Sequence, residues 1–216
     1  MALPVRRIAS ALGLLAIALV LSPAHAGAPT DQLRTHIDRV LKVLDDPELK
    51  RDHKLKDRRA AVRKIADEVF DFAETAKRSL GRHWQPRTSS EREEFVQLFA
   101  DLLERSYISR IELYGGEKIA YAGDAIQDDL ATVRTKLTTR QGTEIPIDYR
   151  MLQKNGRWAV YDVIIEGVSL VANYRTQFNK IIQTSSYKEL VKKMKTKKEE
   201  FLEEEKKQKQ ASQSGT

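Results

Sequence analysis

Apolar residues recur every three to four positions through the first half of the chain, then at every second position from about residue 130. The first period predicts a helix over about 31–44, with Leu33, Ile37, Val40, Leu41 and Leu44 on one face. Asp45-Asp46-Pro47 ends it, because a residue preceding proline is pushed out of the α region. A single long helix is predicted over about 56–80, striped by Val62, Ile65, Ala66, Val69, Ala73, Ala76 and Leu80 and stopped at Gly81. Thr88-Ser89-Ser90 opens a third. Thr88 with Glu91 and Ser90 with Glu93 both fit a capping box, in which side chains satisfy orphan backbone N–H groups. Phe95, Leu98, Phe99, Leu102, Leu103 and Tyr107 line one face of it, and Gly115-Gly116 ends the helical region.

The alternating part predicts strands over 130–139 and 144–152, preceded by a short, weak one over 118–122. Asn155-Gly156 signals a tight hairpin into a further strand over 157–165, which is apolar on both faces as a doubly covered strand would be. Gly167 breaks that strand, and a helix follows over about 169–183, with Val171, Tyr174, Phe178, Ile181 and Ile182 toward the core. From Lys192 the chain is almost entirely Lys and Glu. Spacings such as Glu203 to Lys207 and Glu205 to Lys209 fit a solvated, fraying helix, and composition predicts disorder from about Gln208. Helices, then strands, then helices give an α+β class: a twisted antiparallel sheet of about four strands packed against several helices. Helices that do not seat fully on such a sheet leave an elongated apolar gap.

Composition changes the picture at the N-terminus. Arg6-Arg7, an apolar run over 8–21 and Ala24-His25-Ala26 have the form of a secretory signal peptide cleaved after Ala26. The run is shorter than the roughly 20 residues a membrane span needs. No Cys follows it, so a lipoprotein anchor is excluded. Removing 26 residues that carry two Arg and no acid, from 216 with net charge +7, leaves 190 with net charge +5. The expected location is the exported compartment. Without cysteines the fold must rest on packing, with no disulfides or thiolate zinc sites. The positive charge favours anionic membrane surfaces by about 1 kcal/mol per nearby Lys or Arg, and equally serves solubility.

Motif-borne chemistry is sparse. His36, His53 and His83 stand in no metal-ligand spacing, and there is no HExxH, no GxSxG elbow, no Cys nucleophile and no phosphate-cradling GxxxxGK[ST]. Asp45-Asp46 and Asp128-Asp129 sit where turns or helix ends are predicted. Asp162 or Glu166 would be the base if the chain were an enzyme on a cone-shaped sheet. Nine Lys are interspersed with six Glu between Lys188 and Lys209, so the tail is no cationic arm for nucleic acid.

The most specific stretch runs from Ile145 to Phe178, and its informative part is the run YDVIIEGVSLVANYRTQF, residues 161–178. It resembles the signature of the MlaC family, also called the toluene-tolerance periplasmic phospholipid-binding proteins. FVQLFADLLERSYISRIELYGGEKIAYAG (95–123) is similar to the family's middle region, and LGRHWQPRTSSERE (80–93) to the turn before it. The resemblance spans about 31–194; the Lys/Glu-rich tail beyond Lys195 is longer than the family pattern. It implies a signal peptide over 1–26, a lipid-binding domain over 27–195 and a charged, partly disordered tail over 196–216. It implies a monomeric periplasmic shuttle that carries glycerophospholipid as cargo, with no cofactor and no chemical step. The implied partners are an outer-membrane lipoprotein complex, the substrate-capture domain of an inner-membrane ABC transporter and, transiently, the membrane surface; nucleic acid is not among them.

With periodicity, the resemblance nominates a lipid-facing wall: Phe99, Leu103 and Tyr107 on the central helix; Val133, Leu137, Ile147, Tyr149 and Met151 on one sheet face; Val160 and Ile164 on the last strand; then Val168, Val171, Tyr174 and Phe178. Met151 suits variable contents, because its side chain repacks easily. For each residue the alternative is ordinary core packing. Alternatives for the whole chain are a carrier of polycyclic hopanoid lipid, the enzyme above, or an adaptor with a filled core.

Overall fold

The computed structural model describes residues 28–214, so the expected signal peptide lies outside the described residues. Six helices and five strands follow in the order α1 (Ala28–Asp45), α2 (Leu55–Val69), α3 (Phe72–Leu80), α4 (Ser89–Glu112), β1 (Lys118–Gln127), β2 (Leu130–Thr138), β3 (Glu144–Lys154), β4 (Arg157–Ile165), β5 (Val168–Ser169), α5 (Leu170–Thr184) and α6 (Tyr187–Ser214). The strands form one antiparallel meander in chain order, giving the expected α+β class with five strands where about four were predicted.

Local chemistry explains most boundaries. Thr88 and Glu91 make the capping box: Thr88 Oγ1 accepts the Glu91 N–H at 3.2 Å and the Glu91 carboxylate accepts the Thr88 N–H at 2.9 Å. The β3–β4 hairpin turns through Asn155 and Gly156 at φ 52° and 76°, the two left-handed residues a type I′ turn requires. Glu166 and Gly167, at φ 50° and 81°, turn β4 back in the same sense. The return strand β5 is two residues long, too short for any periodic signal, and its Ser169 caps α5 by accepting the Ala172 N–H at 3.0 Å.

The single helix expected over 56–80 is two helices. Phe70 leaves the α region at φ −91°, ψ 143° and bridges Val160 of β4, and the Asp71 N–H donates to the Val160 carbonyl at 2.8 Å. The Asp71 carboxylate then accepts the Glu74 N–H at 2.9 Å and caps α3. The break thus satisfies backbone groups on the free edge of β4 beyond the reach of β5. It also divides the apolar stripe between two cores.

One core is helical. Ala76 and Leu80 of α3, Phe95, Leu98 and Phe99 of α4, Phe178 of α5, and Tyr187, Leu190, Val191 and Met194 of α6 pack together. The other lies on one face of the sheet, where Ala131, Val133, Met151, Trp158, Val160 and Val163 meet Leu33 of α1 and Val69 of α2. On the opposite face Arg134 stands opposite Asp148 and Arg150 opposite Asp162. Along β4 that face is covered as well, by Thr75 and Arg78 of α3 at Tyr161, and every residue from Trp158 to Val163 is buried, as expected of a doubly covered strand. Beyond Met194, α6 continues as helix to Ser214, past the point near Gln208 where composition predicts loss of order. Among the described residues no helix is long and apolar enough to cross a membrane.

Candidate functional site

The sheet register arranges the α1-facing side into transverse rows. Ile126, Ala131, Met151 and Val160 form one row, and Asp124, Val133, Tyr149 and Val163 the next. Then come Tyr121, Thr135, Ile147, Ile165 and Val168, and finally Ile119, Leu137 and Ile145. Burial falls along this series in β2 to β4, while Ile126, at the β1 edge of the first row, is 52% exposed. Val133, Met151 and Val160 are wholly buried; Ile119, Leu137, Ile145, Ile147 and Ile165 are half-buried; Val168 is 58% exposed. One end of the apolar face is therefore closed and the other open.

The closed end is closed by the start of α1. Thr30 donates through both its N–H (3.2 Å) and its hydroxyl (2.6 Å) to Asp124, which stands at the β1 bulge. Gln32 accepts the Trp158 N–H at 2.8 Å. Arg39, a further two turns along, forks onto Glu68 of α2 at 2.5 and 3.2 Å. These contacts tie α1 down over the Met151 row and bind it to α2.

Two tyrosines bring polarity to this face. The Tyr121 hydroxyl is buried and has no hydrogen-bond partner among the described residues. Burial pushes it up to about 12, the Asp38 carboxylate adds to the rise, and Arg34, whose guanidinium lies 4.5 Å from the ring centroid, opposes it. Tyr149 is likewise pushed above its ordinary value by burial, with Tyr121 adding. Raised in this way, both are neutral phenols, and the unpaired Tyr121 hydroxyl has a hydrogen to donate.

The structure divides the wall expected from periodicity. Leu137, Ile147 and Tyr149 lie on the graded sheet face, with Val133, Met151 and Val160 at its closed end. Val168 joins the open end beside Ile165. Ile164 does not share a face with Val160. A β-bulge at Tyr161 inverts the alternation, so Ile164 pairs with Asp148 on the opposite face. Phe99, Leu103, Tyr174 and Phe178 belong to the helical core, where Phe99 meets Tyr174 and Phe178 edge-on at 5.0 and 5.2 Å. Tyr107 is half-buried on the second half of α4, and Val171 is buried in the first turn of α5. Periodicity missed Ile119, Tyr121 and Ile165; only strand pairing aligns them with Leu137 and Ile147.

Asp162, the candidate base, is 3% exposed and occupied by structure. It accepts the Ser169 hydroxyl at 2.6 Å, the Val171 N–H at 3.0 Å and an Arg150 N–H at 3.4 Å, which fixes β5 and the start of α5. Glu166 is exposed at its left-handed turn.

A family profile described as MlaC protein matches residues 34–196. A relative from Haemophilus influenzae, the intermembrane phospholipid transport system binding protein MlaC, is 25% identical over 120 residues, 53% of this chain; the match spans 56% of that relative's length. Among solved structures, a phospholipid-binding protein from Ralstonia solanacearum in complex with a phospholipid superposes with a TM-score of 0.71 at 24% identity. It covers 81% of this chain and 98% of that one, a likeness of fold.

Proposed function

The chain belongs to the MlaC family, and from that membership we propose that it is a carrier that holds a glycerophospholipid by its acyl chains against the open end of the sheet face. The observation that carries the reading is the gradient, across β2 to β4, from the wholly buried Val133, Met151 and Val160 to the half-buried Leu137, Ile145, Ile147 and Ile165. A fold that needed the face only for its own stability would seal it along its length, whereas a half-covered row of branched side chains offers acyl chains a ready surface. A phospholipid exposes about thirty methylenes at about 0.8 kcal/mol each, on the order of 20 kcal/mol in water. Crossing an aqueous gap therefore requires a carrier that buries the tails and need hold the headgroup only loosely. Tyr121 is the one buried, unpaired hydroxyl of that face among the described residues, and the natural donor to an ester carbonyl near the tails.

In this proposal residues 1–26 direct export to the periplasm, and the mature protein is a monomer without cofactor or catalytic step. It shuttles lipid between outer and inner membranes as the soluble component of an ABC-type lipid transport system. It would meet an outer-membrane lipoprotein complex at one end and the transporter's substrate-capture domain at the other. The relatives named for phospholipid transport and binding support the cargo class.

The test is native mass spectrometry of protein expressed from the full-length chain and purified from the exported fraction, with lipid extraction. Intact mass reports cleavage after Ala26. One glycerophospholipid per chain is the expected result, and a polycyclic lipid would redirect the reading to the hopanoid carrier. A ligand-free protein that also takes nothing from vesicles would overturn it.

A further inference from the structure

A second concavity, of about 740 Å³, lies at the end of α3, the turn after it and the middle of α5, and none of its lining residues comes from the sheet. Lys77, Arg78, Arg82, His83 and Arg175 line it together with one carboxylate, Glu74. Glu74 is spent on its own helix, accepting from Lys77 at 3.2 Å and Arg78 at 2.8 Å. Arg82 and Arg175 meet no carboxylate among the described residues; both are held by neutral oxygens. Arg82 donates to Asn179 Oδ1 at 3.0 Å, and His83 Nε2 stands 3.0 Å from the same oxygen. An amide oxygen only accepts, so Nε2 carries the hydrogen there. Arg175 donates through Nε to the Arg78 carbonyl at 2.8 Å, and its stem crosses Gly81. A Cβ at Gly81 would stand 3.4 Å from Arg175 Cδ, and the φ of +56° there already favours glycine. Two uncompensated guanidinium groups are thus positioned at one cleft.

We propose that this cleft docks a carboxylate-rich segment of a partner protein. Its volume exceeds any single inorganic anion and lies within the roughly 300–1,000 Å³ of sites that enclose organic ligands. It is concave, so a flat bilayer cannot reach into it, whereas a chain bearing Asp or Glu can. Arginine is the residue suited to the task, because its planar fork meets a carboxylate with two parallel hydrogen bonds. The proposal does not depend on what the sheet face binds.

The test is fluorescence polarisation with a labelled oligo-glutamate peptide and the protein purified after full-length expression, at low salt. Saturable binding is expected, weakened about tenfold by Arg82→Glu with Arg175→Glu. The same charge change at Lys192→Glu with Lys193→Glu, on the exposed face of α6, is expected to leave it within about twofold. Arg82→Gln alone, which removes one exposed charge and leaves the Arg175 contacts intact, is expected to weaken binding several-fold with an unchanged melting curve. Absence of peptide binding would overturn the proposal, as would equal weakening by both charge-reversed pairs, which reports net charge alone. Displacement of the peptide by inorganic phosphate at equal concentration would reduce the cleft to a simple anion site. Flotation with phosphatidylglycerol vesicles that needs Arg82 and Arg175 while the peptide does not bind would assign the cleft to the membrane instead. Each of these last two outcomes also overturns the proposal.

Discussion

The helical core and the sheet core are built from similar numbers of buried side chains, yet they end differently. In the helical core, Phe95 stacks on Phe99 at 5.9 Å and meets Phe178 edge-on at 5.6 Å, and Tyr187 closes the group from α6 while donating to the Glu91 carbonyl at 3.0 Å. Interlocked rings of this kind leave little room for rearrangement. The sheet core is sealed only where α1 is tied to Asp124 and Trp158, and it opens by degrees toward Val168. One apolar region acts as scaffold, and the other keeps apolar surface in reserve.

The sharpest way to break this comparison is Phe99→Ala. Loss of a fully buried ring is expected to cost about 3–5 kcal/mol in urea denaturation, with lipid per folded molecule unchanged. Cargo loss at full stability would instead place Phe99 in the lipid wall. Ile147→Asn puts an amide at the open end. It is expected to cost about 1–2 kcal/mol and to lower bound lipid about tenfold by extraction, reversing the pattern of Phe99→Ala.

Protonation probes the clamp between α1 and α2. His36 is held below its ordinary value of 6.5 by burial first, then by Arg39, with Arg157 also lowering it and Glu68 opposing. The unfolded chain therefore binds that proton more readily, so the contribution is present above about pH 6.5 and is lost as pH falls below it. Melting temperature should decline over that interval, and His36→Gln should flatten the decline without altering lipid content at neutral pH. The smallest expected effect is Tyr121→Phe. Removing an orphan hydroxyl should leave stability within about 0.5 kcal/mol and delete one tyrosine from the absorbance titration near pH 12. If Tyr121 donates to an ester carbonyl, the same variant should weaken retention of diacyl lipid but not of its dialkyl ether analogue.

Much of the fold was legible along the chain. The Thr88–Glu91 cap, the Asn155-Gly156 hairpin and the starts and ends of β2 and β4 each follow from a few adjacent residues whose preferences agree. The candidate site was legible only in part. Leu137, Ile147 and Tyr149 carry the alternation that places them on the inner face, whereas Phe99 and Phe178 show the same apolar character and serve the other core. Periodicity tells which side of an element is apolar and not which neighbour covers it.

The type of most elements, the Thr88–Glu91 cap, the Asn155-Gly156 turn and the apolar faces of β2 and β3 were set by the sequence alone, because each depends on contacts within a few residues. The break at Phe70–Asp71, the separation of Val160 from Ile164 and the division into two cores were decided only in three dimensions. The break answers the unpaired edge of β4, ninety residues away in the chain. The parity change arises where β4 bulges against β3. The open end of the sheet face exists because α1 is anchored at one end of that face, and its anchors, Asp124 and Trp158, come from two different strands.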